Sequence, residues 1–172
     1  VTNNLRGARY SKLALNCAVS GLGTLAGVRL GELLSSANAR NLALSVMREA
    51  VEVSQAENIE LEPIGGTFDL NWLADPTASW SGLNHWRRHA MLMLVGFKYR
   101  KLRSSMLRAI ERGRPPAVDF LNGEIVALGC IHGISTPINE KVTQLIHTIA
   151  DGTTQPSPHH LQGLRMSTPE IE

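Results

Sequence analysis

The chain has 172 residues, with 17 lysines and arginines against 15 aspartates and glutamates, and its formal net charge at pH 7 is +2. Hydrophobic residues make up 43% of the sequence and charged residues 19%. This balance excludes a mainly disordered chain and predicts one globular domain with a sizeable core. No uninterrupted apolar stretch of about 18 residues is present, so no membrane span is expected. Cys17 and Cys130 both lie in apolar runs, which predicts reduced core thiols in a cytoplasmic protein.

Apolar residues recur at helical spacing along most of the chain, whereas alternating strand patterns are scarce. In chain order, the predicted helices cover about residues 6–19, 30–34, 39–57, 82–103, 104–111, 118–128 and 137–152. The alternation of Phe68, Leu70 and Trp72 is too short to carry a sheet. We therefore predict an all-α helical bundle over residues 1–152, followed by a polar, proline-bearing tail over 153–172 that is extended or disordered.

Two features bear on what this chain lacks. It begins with Val1 rather than Met, and helical sequence follows at once, which suggests a fragment of a longer polypeptide. The glycine-rich run from Gly21 to Gly27 follows a helical pattern and lacks the spacing of a dinucleotide-binding loop. We interpret that run as a helix end or a close contact between helices.

The first helix carries a polar stripe on an otherwise apolar or small surface. Lys12, Asn16 and Ser20 are four residues apart, so each is offset from the previous one by about 40° around the helix axis. A lysine among apolar side chains is desolvated, which disfavours its charged form and suits it to act as a general acid or base. The alternative is a lysine that reaches water from a helix end, with an asparagine bonded to a neighbouring helix.

Two further motifs could bind a ligand. Ser104 and Ser105 stand at a helix junction, where serine hydroxyls cap the following turn or, with free amides, bind a carboxylate. Asn122 and Gly123 interrupt an amphipathic pattern after Asp119. Because glycine within a helix costs about 1 kcal/mol relative to alanine, close packing or a ligand contact is expected there.

Basic residues are concentrated between positions 85 and 114, where nine lysines and arginines stand against the single acid Glu111. We name this set the basic strip: Arg87, Arg88, Lys98, Arg100, Lys101, Arg103, Arg108, Arg112 and Arg114. It could attract nucleic acid, an anionic cofactor or a small carboxylate. The alternative is a solvated helix face paired with acids of the third helix (Glu49, Glu52 and Glu57). His85 and His89 have the spacing of zinc ligands, but no third ligand is evident, so no metal site is predicted.

Five ordered motifs resemble the C-terminal domain of the 2-dehydropantoate 2-reductase (ketopantoate reductase) family over about residues 3–150. They are Lys12-Leu-Ala-Leu-Asn16-Cys, Arg48-Glu49, Ser104-Ser105-Met-Leu, Asp119-Phe-Leu-Asn122-Gly123 and His132-Gly-Ile-Ser-Thr136-Pro-Ile-Asn139. The resemblance implies an all-helical domain similar to the C-terminal domain of 6-phosphogluconate dehydrogenase. It also implies a partner Rossmann domain that binds NADPH, which is absent from this chain.

The resemblance assigns roles to individual residues. Lys12 matches the catalytic lysine that would donate a proton to the 2-oxo oxygen of the substrate. Asn16 and Ser105 match substrate-binding residues, and Ser20 stands where the family has a second asparagine. Ala117 stands where the family has a substrate-binding glutamate. The alanine predicts an apolar wall and a preference for a 2-oxo acid without the distal hydroxyl.

The sequence therefore predicts the substrate-binding domain of an NADPH-dependent oxidoreductase that reduces 2-dehydropantoate to pantoate, on the route to pantothenate and coenzyme A. The partners implied are a small 2-oxo acid, the Rossmann domain and, in a homodimer, a second copy. Two alternatives stay open: a reductase of a different 2-oxo acid, and a non-enzymatic helical binding or dimerisation domain that uses the basic strip on nucleic acid. A steep loss of binding with added salt would favour the last one.

Overall fold

The computed structural model describes residues 3–79 and 81–164. The helices in this part are α1 Leu5–Asn16, α2 Leu22–Ala26, α3 Leu30–Ser35, α4 Ala37–Ala56, α5 Leu70–Leu73, α6 Gly82–Lys98, α7 Ser105–Ile110, α8 Asn122–His132 and α9 Pro137–Ala150. Short 3₁₀ segments cover Ala117–Phe120 and Pro158–Leu161. Among the described residues, β pairing is limited to one isolated bridge between Ile64 and Phe68. The predicted all-α class is confirmed.

The first predicted helix is longer and less regular than its sequence pattern indicates. Asn4 caps α1 by accepting a hydrogen bond from the Gly7 amide, and the π-helical segment Cys17–Gly21 then joins α1 to α2 without a break. The helix ends at Gly27, whose φ of 72° is a left-handed conformation that glycine adopts without strain. The glycine-rich run is thus a helix end, as predicted.

Helix α4 is the centre of the fold. Most of its 20 residues are buried, on all sides of the helix. It contacts α1, α3, α8, α9 and the π-helical segment. Val46, Met47, Ala50 and Val51 are almost completely inaccessible to solvent.

A buried polar network joins α4, α8 and α9. The Glu49 carboxylate accepts hydrogen bonds from the backbone amides of Ile138 and Asn139, each at 2.9 Å, and from Asn139 Nδ2 at 2.6 Å. Asn139 Oδ1 accepts a hydrogen bond from Asn122 Nδ2 at 2.8 Å. Free amides at a helix start need partners when they are buried. Glu49, which lies on α4, therefore accepts the hydrogen bonds of free backbone amides in the first turn of α9.

The segment after Gly152 differs from the prediction of an extended or disordered tail. Leu161 and Leu164 are buried, and Pro158–Leu161 is a 3₁₀ turn that packs on α2. The Ser157 amide also donates to the Leu25 carbonyl at 2.7 Å. The prediction failed because two leucines in a polar segment give no helical or strand period. Predicted tail residues 165–172 lie outside the described residues.

Within residues 3–79 and 81–164, no helix combines the length and the apolar character that crossing a bilayer requires. Cys17 is buried, as predicted, whereas Cys130 is exposed. The prediction of a second core thiol is therefore wrong, because Cys130 lies on the outer face of α8.

Candidate functional site

The polar stripe of α1 faces a cavity of about 290 Å³. Lys12 and Asn16 both line it, and the opposite wall comes from the end of the 3₁₀ turn and the start of α8. The remaining lining residues are Arg9, Tyr10, Leu13, Phe120, Leu121 and Glu124. Lys12 is exposed and Asn16 is half-buried. We name this space the lysine cavity.

A second cavity of about 170 Å³ continues the stripe. Asn16 lines both cavities, and Ser20 and Ser105 line the second one. Arg103 and Arg108 also line it. We name this space the serine cavity. The structure thus brings three of the four predicted site residues to one cavity and joins the fourth, Lys12, through Asn16.

The π-helical segment is held by hydrogen bonds from two other parts of the chain. Asn122 Nδ2 donates to the Cys17 carbonyl at 3.3 Å, and the Ser20 carbonyl accepts from Thr24 Oγ1 at 2.7 Å and from Ser104 Oγ at 3.2 Å. A Cβ on Gly21 would lie 3.0 Å from Asn122 Oδ1, so the close approach needs glycine. This part of the glycine-rich run is a contact between helices, as predicted.

The two serines at the helix junction have different surroundings. Ser104 is buried, its hydroxyl caps α7 by accepting from the Leu107 amide at 3.3 Å, and it lies 2.7 Å from the Thr24 hydroxyl. Ser105 is exposed and lines the serine cavity. The capping role therefore belongs to Ser104, and Ser105 is available to a ligand.

The environment of Lys12 differs from the one that its sequence pattern predicts. The pattern predicts a lysine desolvated among apolar side chains, but Lys12 is exposed at the cavity. The helix buries its Ser11 and Ala14 side instead. The described part of the chain therefore leaves the outer side of Lys12 open.

The family resemblance implies a substrate-binding glutamate where this chain has Ala117, and two glutamates lie near that position in the sequence. Ala117 is exposed on its 3₁₀ turn and does not line the lysine cavity. Glu111 is bonded to Arg103 through both carboxylate oxygens. Glu124, by contrast, lines the lysine cavity. Ala117, on which the prediction of an apolar wall depended, is therefore not among the residues that line the lysine cavity.

Three polar residues that line the lysine cavity were not among the predicted site residues: Arg9, Tyr10 and Glu124. Arg9 lies three residues before Lys12, so helical spacing could have placed it on the same face. Arg108, which lines the serine cavity, belongs to the basic strip, for which a small carboxylate was one of the predicted ligands. Helical spacing from Lys12 does not point to Tyr10. Glu124 belongs to a wall that meets α1 only in the folded chain, so no local pattern could place it in this cavity.

The basic strip is not one uniform surface. Arg88 is buried and lies 4.0 Å from Asp75, whereas Arg103 pairs with Glu111 and both Arg103 and Arg108 line the serine cavity. The cavity-lining arginines would favour a small carboxylate there. The strip therefore contributes to the candidate site through only part of its length.

The alternative in which the basic strip pairs with the acids of the third predicted helix is wrong for two of those three acids. Glu49 accepts hydrogen bonds from the start of α9, as described above. Glu57 accepts from Arg6 at 2.7 Å and from His132 at 2.6 Å. These contacts hold the pKa of Glu57 below its ordinary value, with the His132 hydrogen bond as the main cause.

His89 is part of a contact between helices. Its Nδ1 accepts from Arg40 Nε at 3.0 Å, so Nε2 carries the proton and donates to Asn41 Oδ1 at 2.9 Å. Burial, with smaller contributions from His85 and Arg40, lowers the pKa of His89 from 6.5 to about 4. Within the described part of the chain, no three His, Cys, Asp or Glu side chains are grouped to hold a metal ion.

Comparison with solved structures places this fold among known oxidoreductases. A PanE/ApbA-family ketopantoate reductase from Ralstonia eutropha superposes with a TM-score of 0.68 and 25% identity, over 88% of this chain and 43% of that one. D-mandelate dehydrogenase, in a complex with NADH and anilino(oxo)acetate, gives a TM-score of 0.66 over 88% of this chain and 43% of that one. At 22% identity, the second likeness shows the fold alone.

Sequence comparison defines the family. The family model for the C-terminal domain of PanE/ApbA ketopantoate reductases matches residues 4–150. The chain therefore belongs to the ketopantoate reductase C-terminal domain family. It is 27% identical to 2-dehydropantoate 2-reductase of Pyrobaculum aerophilum over 80% of this chain and 41% of that protein. For the enzyme of the same name from Vibrio cholerae, identity is 28% over 83% of this chain and 40% of that protein. The chain thus spans about two fifths of the length of these relatives.

Proposed function

We propose that this chain is the substrate-binding and catalytic domain of an NADPH-dependent reductase of 2-oxo acids, with 2-dehydropantoate as its first candidate substrate. One observation carries the proposal: Lys12, Asn16, Ser20 and Ser105 follow one another along two cavities that share Asn16. Family membership and the names of the relatives support the reaction class. The complete enzyme, in this proposal, is the chain together with an N-terminal Rossmann domain.

Each end of the joined cavities suits one part of a 2-oxo acid. Ser105 supplies a hydrogen-bond donor and Arg108 a positive charge for the carboxylate, whereas Arg103 on the same wall is paired with Glu111. Asn16 and Ser20 lie between and orient the substrate. Lys12 donates a proton to the 2-oxo oxygen while hydride adds to the adjacent carbon, so the ketone becomes a secondary alcohol. NADPH supplies the hydride and would be held mainly by the Rossmann domain, because this chain has no glycine fingerprint.

The proposal is tested by the oxidation of NADPH by the complete enzyme in the presence of 2-dehydropantoate. Ser105→Ala should raise KM about tenfold or more while the melting temperature stays unchanged, because an exposed ligand contact is lost. Ser104→Ala is the matched control: it removes a helix cap and should lower stability by about 1 kcal/mol. An enzyme that reduces no 2-oxo acid, or a Ser105→Ala variant with unchanged KM, would contradict the proposal.

A further inference from the structure

We infer that Glu124 is the specificity-determining hydrogen-bond acceptor of the lysine cavity. The inference rests on the proposed function. Glu124 lines the same cavity as Lys12 and Asn16. Among the described residues, neither Lys12 nor Glu124 has a hydrogen bond or an ion pair with another side chain. The cavity therefore presents the amino group of Lys12 and the carboxyl group of Glu124 to a ligand, each without a side-chain partner in the described part of the chain.

The position of Glu124 relative to the stripe is fixed by buried contacts. Asn122, two residues earlier, is completely buried, and its Nδ2 donates to the carbonyl of Cys17 at 3.3 Å. Cys17 directly follows Asn16 in the chain. The same Asn122 amide bonds Asn139 on α9 at 2.8 Å. The start of α8 is thus attached to the helix that carries the site, and Glu124 lies within one turn of the attachment.

Two other positions near the site do not supply this acceptor. Ala117, at the position where the family has a glutamate, is exposed and does not line the cavity. Glu111 already accepts two hydrogen bonds from Arg103. Glu124 is the acid that remains among the residues lining the lysine cavity.

The chemistry of the walls defines the ligand. Lys12 and Arg9 can only donate hydrogen bonds to a ligand, Asn16 can donate or accept them, and Glu124 when ionised only accepts them. Leu13, Phe120 and Leu121 supply apolar surface in the same cavity. A matching 2-oxo acid has an apolar middle and a hydroxyl at the end distant from its carboxylate. A second carboxylate at that end would be repelled. This ligand is the reverse of the one predicted from Ala117 alone.

A purely structural role for Glu124 makes a different prediction. An acid in the first turn of a helix is favourable because it faces the positive end of the helix dipole. If Glu124 had only this stabilising role, its replacement would lower the melting temperature and would leave the ratio of kcat/KM values for two substrates unchanged. The experiment must therefore measure a ratio between two substrates.

The test compares kcat/KM of the complete enzyme for 2-dehydropantoate and for 3,3-dimethyl-2-oxobutanoate, which lacks only the distal hydroxyl. The wild type should prefer 2-dehydropantoate by about tenfold to a hundredfold. Glu124→Ala should abolish most of that preference, and Glu124→Gln should retain part of it because the amide oxygen still accepts a hydrogen bond. Glu140→Ala, at an exposed acid in the first turn of α9, is the control and should leave the ratio unchanged.

The outcomes separate the inference from the proposed function. A wild type that prefers the substrate without the hydroxyl, or a Glu124→Ala variant with an unchanged ratio, overturns the inference while the reductase activity stands. Restoration of the preference in the Glu124→Ala background by Ala117→Glu would also overturn it, because Ala117 does not line this cavity. Reduction of neither substrate overturns the proposed function, and the inference falls with it.

Discussion

The described residues of this chain leave one side of the Lys12 side chain uncovered. It is exposed, although Asn16 on the next turn is half-buried. A proton donor works best when water is excluded from the reacting atoms, because electrostatic interactions are then stronger. Since the described residues do not cover Lys12, we expect the cover to come from the Rossmann domain and the bound substrate. In this proposal the site is divided between two domains, so one domain alone is not expected to be active.

Replacement of Lys12 tests its role directly. In the complete enzyme, Lys12→Ala should lower kcat by roughly 100-fold or more, which is the usual contribution of a positioned acid or base. Folding should be preserved, because the side chain that is removed is exposed. Steady-state kinetics and a melting curve check both expectations. A fully active Lys12→Ala enzyme would rule out the proton-donor role.

At the scale of helices, Glu49 explains why two of the ordered motifs occur together. The Arg48-Glu49 motif lies on α4 and the Thr136-Pro-Ile-Asn139 motif starts α9. Hydrogen bonds from the Ile138 and Asn139 amides to the Glu49 carboxylate join them. Both motifs therefore serve the architecture. Through Asn139 and Asn122, the same network reaches the Cys17 carbonyl and thus the helix that carries the site.

Loss of the Glu49 carboxylate should weaken the start of α9. Glu49→Gln leaves one acceptor oxygen and brings an amide N–H group against buried backbone donors, so the free energy of unfolding should fall by about 1–3 kcal/mol. Urea denaturation of the chain measures this loss. Glu140→Gln, on the exposed face of α9, is the control and should change stability by less than about 0.5 kcal/mol. Equal stability of the two variants would contradict the capping role.

The contact between α4 and α6 should depend on pH through His89. Its pKa is about 4 in the folded chain, against 6.5 as its ordinary value. The unfolded chain therefore binds more protons between these values. The contribution of His89 to stability is complete above pH 6.5 and is lost as the pH falls towards 4. The physical reason is that burial disfavours the charged imidazolium, with smaller contributions from the charges of His85 and Arg40.

A variant that cannot titrate isolates this effect from the carboxylates, which also titrate at low pH. Between pH 7 and pH 4, the melting temperature should fall less for His89→Gln than for the wild type. His159→Gln, at an exposed histidine, should follow the wild type. If His89→Gln and the wild type lose stability in parallel, His89 does not control this contact.

At the scale of the whole molecule, the chain contains the proposed proton donor and substrate contacts, but its sequence has no glycine fingerprint for a dinucleotide phosphate. The glycine-rich run, where such a loop might have been sought, ends α2 and lets α8 approach the π-helical segment. Backbone amides at the start of a helix bind phosphate only when a loop leaves them open. The proposed reaction therefore requires the two domains together.

Calorimetry of the purified chain tests this division. The 172 residues alone should bind NADPH weakly, with no heat signal at micromolar concentrations, and should not oxidise it in the presence of any 2-oxo acid. The complete enzyme is the positive control for the same titration. Micromolar binding by the chain alone would show that its own residues hold the cofactor.

Local sequence patterns were sufficient for the helices with strong periods and for the polar stripe. Helical spacing depends only on neighbours in the chain, so the residue numbers alone place Lys12, Asn16 and Ser20 on one face. Ordered motifs likewise predicted the family, and they assigned to Ser105 a substrate contact that stays a prediction. The start of α9 at Pro137 was also predicted correctly, because Thr-Pro is a local signal for a helix start.

Which residues meet one another was set by tertiary packing. That Glu124 rather than Ala117 lines the lysine cavity depends on the contact of Asn122 with the Cys17 carbonyl, 105 residues away in the chain. The partner of Glu49, the exposure of Lys12 and the packing of Leu161 have the same origin. A local pattern specifies the face of a helix, but the element that covers that face is set by the packing of the whole chain.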